Sequence, residues 1–136
     1  MTIKLKVLPI AAAAFISVVS ICQAEQPTGA GEKIYMQSRC FVCHGQLGTG
    51  GFGSALAGDR ILAIKQFVIA QILIGRGKMP PFGGQLSDDD VAAVAQYIRN
   101  NWGNDFGPVT ANDVKSVRAL MKKATEQSAK IANPQQ

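Results

Sequence analysis

The sequence is poor in the side chains that bind metals or act as nucleophiles. It contains one histidine, His44, and three cysteines, Cys22, Cys40 and Cys43, among 136 residues. Structural zinc sites usually take four protein ligands and catalytic ones three, and the adjacent Cys43 and His44 are poorly placed to converge on one tetrahedral ion. This scarcity makes zinc a weak hypothesis and excludes any site that needs two histidines from this chain.

The sequence also lacks the patterns of a β-sheet and of a nucleic-acid-binding surface. No alternation of apolar and polar residues is long enough to predict a sheet, and no internal repeat is visible. Lysines and arginines are scattered, and the acidic residues 88–90 interrupt them, so there is no basic stripe interleaved with aromatics. We therefore expect no nucleic-acid partner. A thioredoxin-like dithiol, which expects a βαβ setting, is also disfavoured.

A long apolar run occurs only at the N-terminus. Two lysines precede the apolar residues 7–21, which one proline and two serines interrupt, and the segment ends at Ala24. The run is too short to span a bilayer comfortably, so this order predicts a secretory signal peptide over residues 1–24. An uncleaved anchor and a lipoprotein lipidated at Cys22 are the alternatives.

Export determines the compartment and the composition of the mature chain. Removal of the signal peptide takes the chain from 136 to 112 residues and its formal charge from +5 to +3, because two lysines leave. Cys40 and Cys43 are then the only cysteines. We expect a mildly basic periplasmic protein without a permanent membrane span, in a compartment that permits disulfides.

Helical periodicity predicts an all-α protein with four helices. The first two are expected at about residues 30–38 and 63–74, and the others follow Ser87 and Thr110, which have acidic residues shortly after them as N-caps do. The last helix is expected to reach about residue 132. Two segments separate these helices: residues 45–58, with six glycines, and residues 76–86, with three glycines and two prolines. Both are expected to be irregular.

The most specific motif is Cys40-Phe41-Val42-Cys43-His44, which has the spacing of c-type haem attachment. Two thiols separated by two residues can reach the two vinyl groups on one edge of a porphyrin, and the adjacent imidazole is left facing the iron. The motif predicts one covalent haem c, with Cys40 and Cys43 as thioether positions and His44 as an axial ligand.

The second axial ligand has to be another residue type, because His44 is the only histidine. Thioether sulfur is a soft ligand that suits ferrous haem, and a His/Met pair raises the reduction potential. Met36 and Met121 fall in predicted helices, where packing is the expected role. Met79 lies between glycines and prolines that stiffen the backbone and allow close approach to a flat ring, so we predict Met79 as the ligand. If Met79 only packs the loop, the iron site is open.

These motifs resemble those of the small bacterial class I c-type cytochromes, which are monohaem and His/Met-ligated. The resemblance extends from Gly31 to about Trp102. Its segments are Gly31-Glu-Lys-Ile-Tyr35, the attachment motif, Leu56-Ala-Gly58, Met79-Pro-Pro-Phe82 and Tyr97-Ile-Arg-Asn100. It implies an all-α, cytochrome c-like fold of three to four helices wrapped around one haem. The first helix is expected to pack against the helix that contains Tyr97.

The resemblance also suggests how the chain divides. We expect a signal peptide over residues 1–24, a cytochrome c domain over residues 25–109, and an extra C-terminal helix in an extension over residues 110–136. The region around residues 101–110 and the helix after it resemble extensions on haem domains of periplasmic dehydrogenases and nitrite reductases.

Four further residues are candidates for the haem pocket: Ser54, Phe82, Arg60 and Trp102. In the family a proline usually supplies the carbonyl that accepts a hydrogen bond from the axial histidine. Ser54 stands there instead; its carbonyl can still accept, but serine lacks the fixed φ of proline. Phe82 belongs to the Met79 segment. Arg60 and Trp102 carry donors suited to haem propionates, although packing or surface roles suit them equally.

The expected function follows from the iron ligands. If the protein fills both axial positions, no substrate can bind the iron, and outer-sphere electron transfer remains. We expect a non-enzymatic periplasmic one-electron carrier between a donor dehydrogenase and an acceptor oxidase or reductase. One alternative is a dedicated cytochrome subunit of a dehydrogenase or reductase complex, docked through the helix after Thr110. Another is a haem enzyme or gas sensor with an open iron.

Overall fold

The computed structural model describes residues 28–133, and the predicted signal peptide lies outside them. This part of the chain is helical and contains no β-strand, only an isolated β-bridge between Arg76 and Met79. The helices are α1 (Thr28–Gln37), α2 (Cys40–His44), a 3₁₀ helix (Arg60–Ala63), α3 (Lys65–Ile74), α4 (Asp88–Asn100) and α5 (Ala111–Ala132). The all-α prediction is confirmed.

Two short helices were not predicted. The attachment motif itself forms α2, which is too short to show a period and begins after Arg39, whose φ of 57° turns the chain out of α1. The predicted helix from residue 63 starts at Lys65 instead, because Arg60–Ala63 form the 3₁₀ helix. The side chain of Asp59 accepts a hydrogen bond from the Ile61 amide and so fixes the start of that turn.

Capping boxes begin α4 and α5, where the sequence predicted N-caps. Ser87 and Thr110 each accept a hydrogen bond from the amide three residues on, at 3.1 and 3.2 Å. The carboxylates of Asp90 and Asp113 accept in return from the amides of the cap residues. A cap of this kind contributes about 1 kcal/mol, and it fixes where each helix begins. The predicted extent of the last helix, to about residue 132, is confirmed.

Helix α1 packs closely against α4, as the resemblance implied. A Cβ at Gly31 would overlap the Ala93 carbonyl and the Cβ of Tyr97, so only glycine permits this crossing. Beside it, Tyr35, Tyr97 and Trp102 form one aromatic cluster. Their ring centroids are 5.2–5.6 Å apart and the rings are tilted or edge-on, which are favourable arrangements. This cluster joins the end of α4 to α1.

Among residues 28–133, only the first half of α5 packs on the other elements. Val114 and Val117 are buried against α3 and α4, and Lys65 at the start of α3 forms an ion pair with Asp113 at 3.1 Å. Further along, Leu120 is 63% exposed and Ile131 is 74% exposed. A 22-residue helix is roughly 33 Å long, so α5 extends beyond the body that it packs on.

Candidate haem site

One cavity of about 620 Å³ lies between α2, the glycine-rich segment, α3 and the segment after α3. Cofactor sites typically have volumes of about 300–1,000 Å³ and mainly apolar walls. The buried apolar side chains that line this cavity are Leu56, Leu62, Val68, Ile72, Val94 and Ile98. Helices α3 and α4 supply most of this wall, and α2 and the two irregular segments supply its polar and sulfur groups.

The two motif cysteines lie on this cavity. Residues three apart in a helix share a face, and α2 places Cys40 and Cys43 at the same wall, both half-buried and free of any disulfide. Burial raises the pKa of the Cys40 thiol to about 11. The thiol is therefore protonated at neutral pH, unlike the thiolate of a redox-active dithiol.

His44 is oriented by the backbone of the glycine-rich segment. Its Nδ1 lies 2.8 Å from the carbonyl oxygen of Ser54. A carbonyl only accepts, so Nδ1 carries the proton, and in the neutral ring Nε2 is free to bind a metal. A Cβ at Gly53 would lie 3.0 Å from Cε1 of His44 and 3.3 Å from Cβ of Cys43. The glycine therefore lets the segment pass directly against the imidazole.

Met79 lies on the same cavity, in the segment after α3. The amide and carbonyl of Met79 pair with the carbonyl and amide of Arg76, at 3.0 and 3.1 Å. Gly75, with φ of 65°, makes the turn possible, and a Cβ there would overlap the Met79 carbonyl. On the other side of Met79, the amide of Phe82 donates to the carbonyl of Ile72 at 3.0 Å. These bonds fix the backbone on both sides of the sulfur.

Gln71 is a residue that the sequence analysis missed. Its Nε2 lies 3.6 Å from Sδ of Met79, within the range of an N–H···S hydrogen bond, and its side chain lines the cavity. In the sequence it is one of two glutamines in a helix that is otherwise apolar after Lys65, and it lies next to residues that are buried. The only signal that could have found it is its place on the buried face of α3.

The pocket candidates separate into two groups. Ser54 and Phe82 line the cavity, whereas Arg60 and Trp102 do not. Trp102 has φ of 55°, and its ring packs against Tyr35 and Tyr97 and over the backbone of Gly48. Arg60 is exposed at the start of the 3₁₀ helix. A propionate role for Arg60 and Trp102 stays a prediction from the sequence.

Two buried polar residues near the cavity were also missed. Arg99 donates to the carbonyls of Leu62, Ala63, Phe106 and Gly107, with 2.8 Å to Leu62 and 2.7 Å to Gly107. Burial lowers its pKa from the ordinary arginine value. Asn104 donates to the Leu56 carbonyl at 2.9 Å and accepts from the Gly58 amide at 2.9 Å. Both tie segments next to the cavity wall to α4 and to the residues that follow it.

Among residues 28–133, no three His, Cys, Asp or Glu side chains come together as ligands for a metal ion. In the same part of the chain, no helix combines the length and apolarity needed to cross a membrane. The zinc hypothesis is therefore left without a ligand set there. The donors that do meet at the cavity are two thiols, one imidazole and one thioether, which suit haem c.

Comparisons with known proteins agree with this chemistry. Residues 26–98, more than half of the chain, match the family described as "Cytochrome C oxidase, cbb3-type, subunit III". Cytochrome c-552 of Thermus thermophilus is 37% identical over 121 residues, covering 71% of this chain and 88% of that protein.

Two further similarities differ in how much of each protein they cover. The cytochrome c subunit of Gluconobacter oxydans alcohol dehydrogenase (quinone) is 30% identical over 105 residues, which are 65% of this chain but 22% of that subunit. A solved cytochrome c6 from the diatom Phaeodactylum tricornutum aligns with a TM-score of 0.45 and 28% identity, over 66% of this chain and 97% of that chain. From the family match and the Thermus relative, the chain belongs to the c-type cytochromes: its cofactor is haem c and its activity is electron transfer.

Proposed function

We propose that the protein is a periplasmic one-electron carrier that binds its single haem c covalently through Cys40 and Cys43, with His44 and Met79 as axial ligands. The observation that carries this proposal is that all four side chains line one apolar cavity. The contact of His44 Nδ1 with the Ser54 carbonyl, which leaves Nε2 free, supports the role of His44. The backbone bonds on both sides of Met79 support its role.

In this function the haem would carry the electron, and the residues of the chain would hold the haem and set its potential. When bound, the haem supplies the one-electron change between ferric and ferrous iron. The Ser54 carbonyl makes the imidazole a more basic ligand by accepting from Nδ1. The apolar walls exclude water, and burial of this kind raises the potential of a haem. With two protein ligands, the iron has no position left for a substrate.

The rim of the cavity suits brief contacts with partner proteins. Phe52 is 90% exposed, and Val42, Ile61 and Phe67 are exposed beside it. The basic side chains that line the same cavity are Arg39, Arg76 and Lys78. Redox encounters use small, transient interfaces, and basic groups at their edge guide acidic partners. Such partners would be a donor dehydrogenase and an acceptor oxidase or reductase.

A second candidate function is a dedicated cytochrome subunit of a dehydrogenase complex. It is favoured by the similarity to the Gluconobacter oxydans subunit and by the exposed end of α5, where Leu120 and Ile131 face solvent. Purification from the native host distinguishes the two functions. A free carrier elutes at the size of a single small protein, whereas a subunit co-purifies with a much larger catalytic chain.

Substitution of Met79 tests the proposed ligation. In Met79→Ala we expect the haem to stay attached, the far-red sulfur-to-iron absorption band to disappear, and the reduced protein to bind carbon monoxide at neutral pH. The potential should fall, because the soft thioether that favours ferrous iron is gone. Met121→Ala is the matched control, since Met121 is half-buried in α5 and does not line the cavity. An unchanged spectrum in Met79→Ala would show that Met79 only packs the loop.

A further inference from the structure

Helix α5 is joined to the segment that carries Met79 by the hydrogen bonds of one side chain, Arg118. Its Nε donates to Asp88 Oδ1 at 2.7 Å, its Nη1 to the Gly83 carbonyl at 2.8 Å, and its Nη2 to the Leu86 carbonyl at 3.2 Å. Two of the guanidinium nitrogens therefore bind the segment that carries Met79, and the third binds the first residue of α4. The ion pair with Asp88 is only partly exposed, at 35% for the arginine and 25% for the aspartate.

Few other bonds hold the chain after Met79. Pro80 and Pro81 have no amide hydrogen to donate. The amides of Phe82 and Gly83 donate to the last carbonyls of α3, those of Ile72 and Leu73, at 3.0 Å each. The amides of residues 85 and 86 bond back to Phe82, within the segment itself. Apart from these two bonds and the contact of Gln71 with Met79 Sδ, all of which come from α3, Arg118 supplies the hydrogen bonds that join this segment to another helix.

Gly83 lies between these two contacts. A Cβ there would lie 2.7 Å from the Leu73 carbonyl oxygen and 3.4 Å from Nη1 of Arg118. The backbone therefore passes closely between the end of α3 and the guanidinium. Gly83 is four residues from Met79, so a backbone movement of the Met79 segment that extends to Gly83 has to break these contacts.

We propose that Arg118 is a positioning residue for Met79, through which α5 controls how readily the sulfur leaves the iron. This inference rests on the proposed His44/Met79 ligation. Opening of the ligand segment is a local unfolding event, and its free-energy cost includes every contact that has to break. The hydrogen bonds from Arg118 to the Gly83 and Leu86 carbonyls are among those contacts. Helix α5 is then part of the electron-transfer site and more than a docking element.

A second polar contact of α5, with the start of α3, offers a matched control. Lys65 pairs with Asp113 at 3.1 Å, and both side chains are 29% exposed. Lys65 lies at the start of α3, whereas the Met79 segment bonds to Ile72 and Leu73 near its end. Eight residues of helix separate Lys65 from Leu73, a distance of roughly 12 Å. Lys65→Gln therefore loosens α5 without touching the segment.

The test is competition between imidazole and Met79 for the iron of the ferric holoprotein. Loss of the far-red absorption band reports how much Met79 the added imidazole has displaced. In Arg118→Gln we expect the apparent affinity for imidazole to rise roughly threefold to tenfold, because hydrogen bonds from a partly exposed cation no longer oppose opening. Arg118→Lys, which can replace only part of the fork, should lie between this variant and the wild type. Lys65→Gln should bind imidazole as the wild type does, although its thermal unfolding midpoint falls.

Each other outcome counts against a different claim. If the wild-type protein lacks the far-red band, the proposed ligation fails and this proposal fails with it. If the band is present but the apparent affinity of Arg118→Gln for imidazole is within about twofold of the wild-type affinity, only the role of Arg118 is overturned. A twofold change is far below a tenfold change, which corresponds to about 1.4 kcal/mol. An equal rise in Lys65→Gln would show a general effect of loosening α5. If Arg118→Gln does not accumulate as holoprotein, Arg118→Lys tests the same claim, with a smaller expected rise in the apparent affinity for imidazole.

Discussion

The two ligand-bearing walls of the cavity are held in different ways. On the His44 side the bonds nearest the histidine are local: His44 bonds to a carbonyl ten residues away, and Tyr35 donates to the Gly45 carbonyl, also ten residues away, at 2.7 Å. Asn104 holds the end of the glycine-rich segment from 46 and 48 residues away. On the Met79 side the segment depends on the last turn of α3 and on Arg118, which lies 35 residues beyond Gly83. The bonds nearest His44 are thus made within one stretch of chain, whereas the segment that carries Met79 also depends on a side chain of the distant helix α5.

This difference predicts which property of the protein a substitution at each wall changes. Closely spaced contacts cost little entropy to form, and on the His44 side they come with two predicted covalent links to the haem. The Met79 side loses its support whenever α5 or the end of α3 moves. We therefore expect changes on the His44 side to affect haem incorporation, and changes on the Met79 side to affect ligand exchange and potential.

The largest expected effect is that of His44→Ala. Without the imidazole, the haem has no ligand from α2, and we expect the yield of stable holoprotein to fall by at least roughly tenfold. Met79→Ala, expressed in the same way, should keep its haem. Absorbance of the haem per mole of purified protein measures both. Equal yields of the two variants would contradict the proposed difference between the walls.

A smaller effect is expected from Gly53→Ala. The added Cβ would lie 3.0 Å from Cε1 and 3.1 Å from Nδ1 of His44, so the ring or the segment has to shift, and overpacking of this kind costs about 1–3 kcal/mol. Chemical unfolding of the holoprotein measures this loss. Gly84→Ala is the matched control, because nothing lies within 4 Å of a Cβ at Gly84. The account of the His44 wall is wrong if the two variants are equally stable.

Gln71→Leu tests whether the Gln71 amide adjusts the midpoint potential through its contact with Met79. The amide N–H that points at Sδ of Met79 makes the sulfur a weaker donor to ferric iron, and its loss should lower the midpoint potential. A neutral hydrogen bond contributes about 0.5–1.5 kcal/mol, which for one electron corresponds to about 20–60 mV. Gln66→Leu, on the exposed side of α3, is the control for potentiometric titration. A potential that does not fall would assign Gln71 to packing alone.

The smallest expected effect concerns acid pH. Hydrogen bonds from the backbone and side chain of Thr110, together with Lys65, hold the pKa of Asp113 below its ordinary value. A depressed carboxylate pKa stabilises the fold above the ordinary value of about 3.9, and this contribution is lost as the pH falls through the folded-state pKa. The stability difference between wild type and Asp113→Asn should therefore shrink below about pH 4. Unfolding midpoints measured from pH 6 to pH 3 check this, and a difference that stays constant over that range would contradict the role of Asp113.

The contrast between the walls also explains what the sequence could predict. The attachment motif and the caps at Ser87 and Thr110 are local patterns, and α4 and α5 begin after these caps. Helix α2 was missed because five residues show no period. The supporting contacts of Arg118, Gln71 and Asn104 were missed because they join residues from eight to 48 positions apart, and no local pattern records them.

Trp102 shows what composition alone leaves open. Its donor and apolar ring made it a candidate for a haem propionate, because composition says what a side chain can do but not where it points. In the structure its φ of 55° and the bare backbone of Gly48 allow its ring to pack on Tyr97 and on Tyr35, which lines the cavity, although Trp102 itself does not. The direction of a side chain after a helix end depends on such backbone angles, which the sequence analysis had no means to specify.

The most direct test of the central claim is the intact mass of the wild-type protein matured in a host that attaches haem c, measured before and after treatment with a thiol-alkylating reagent. We expect the mass of the chain without residues 1–24 plus one haem, and no mass gain from the reagent, because the sulfurs of Cys40 and Cys43 are bonded to the porphyrin. A colourless protein that gains two alkyl groups would contradict the account.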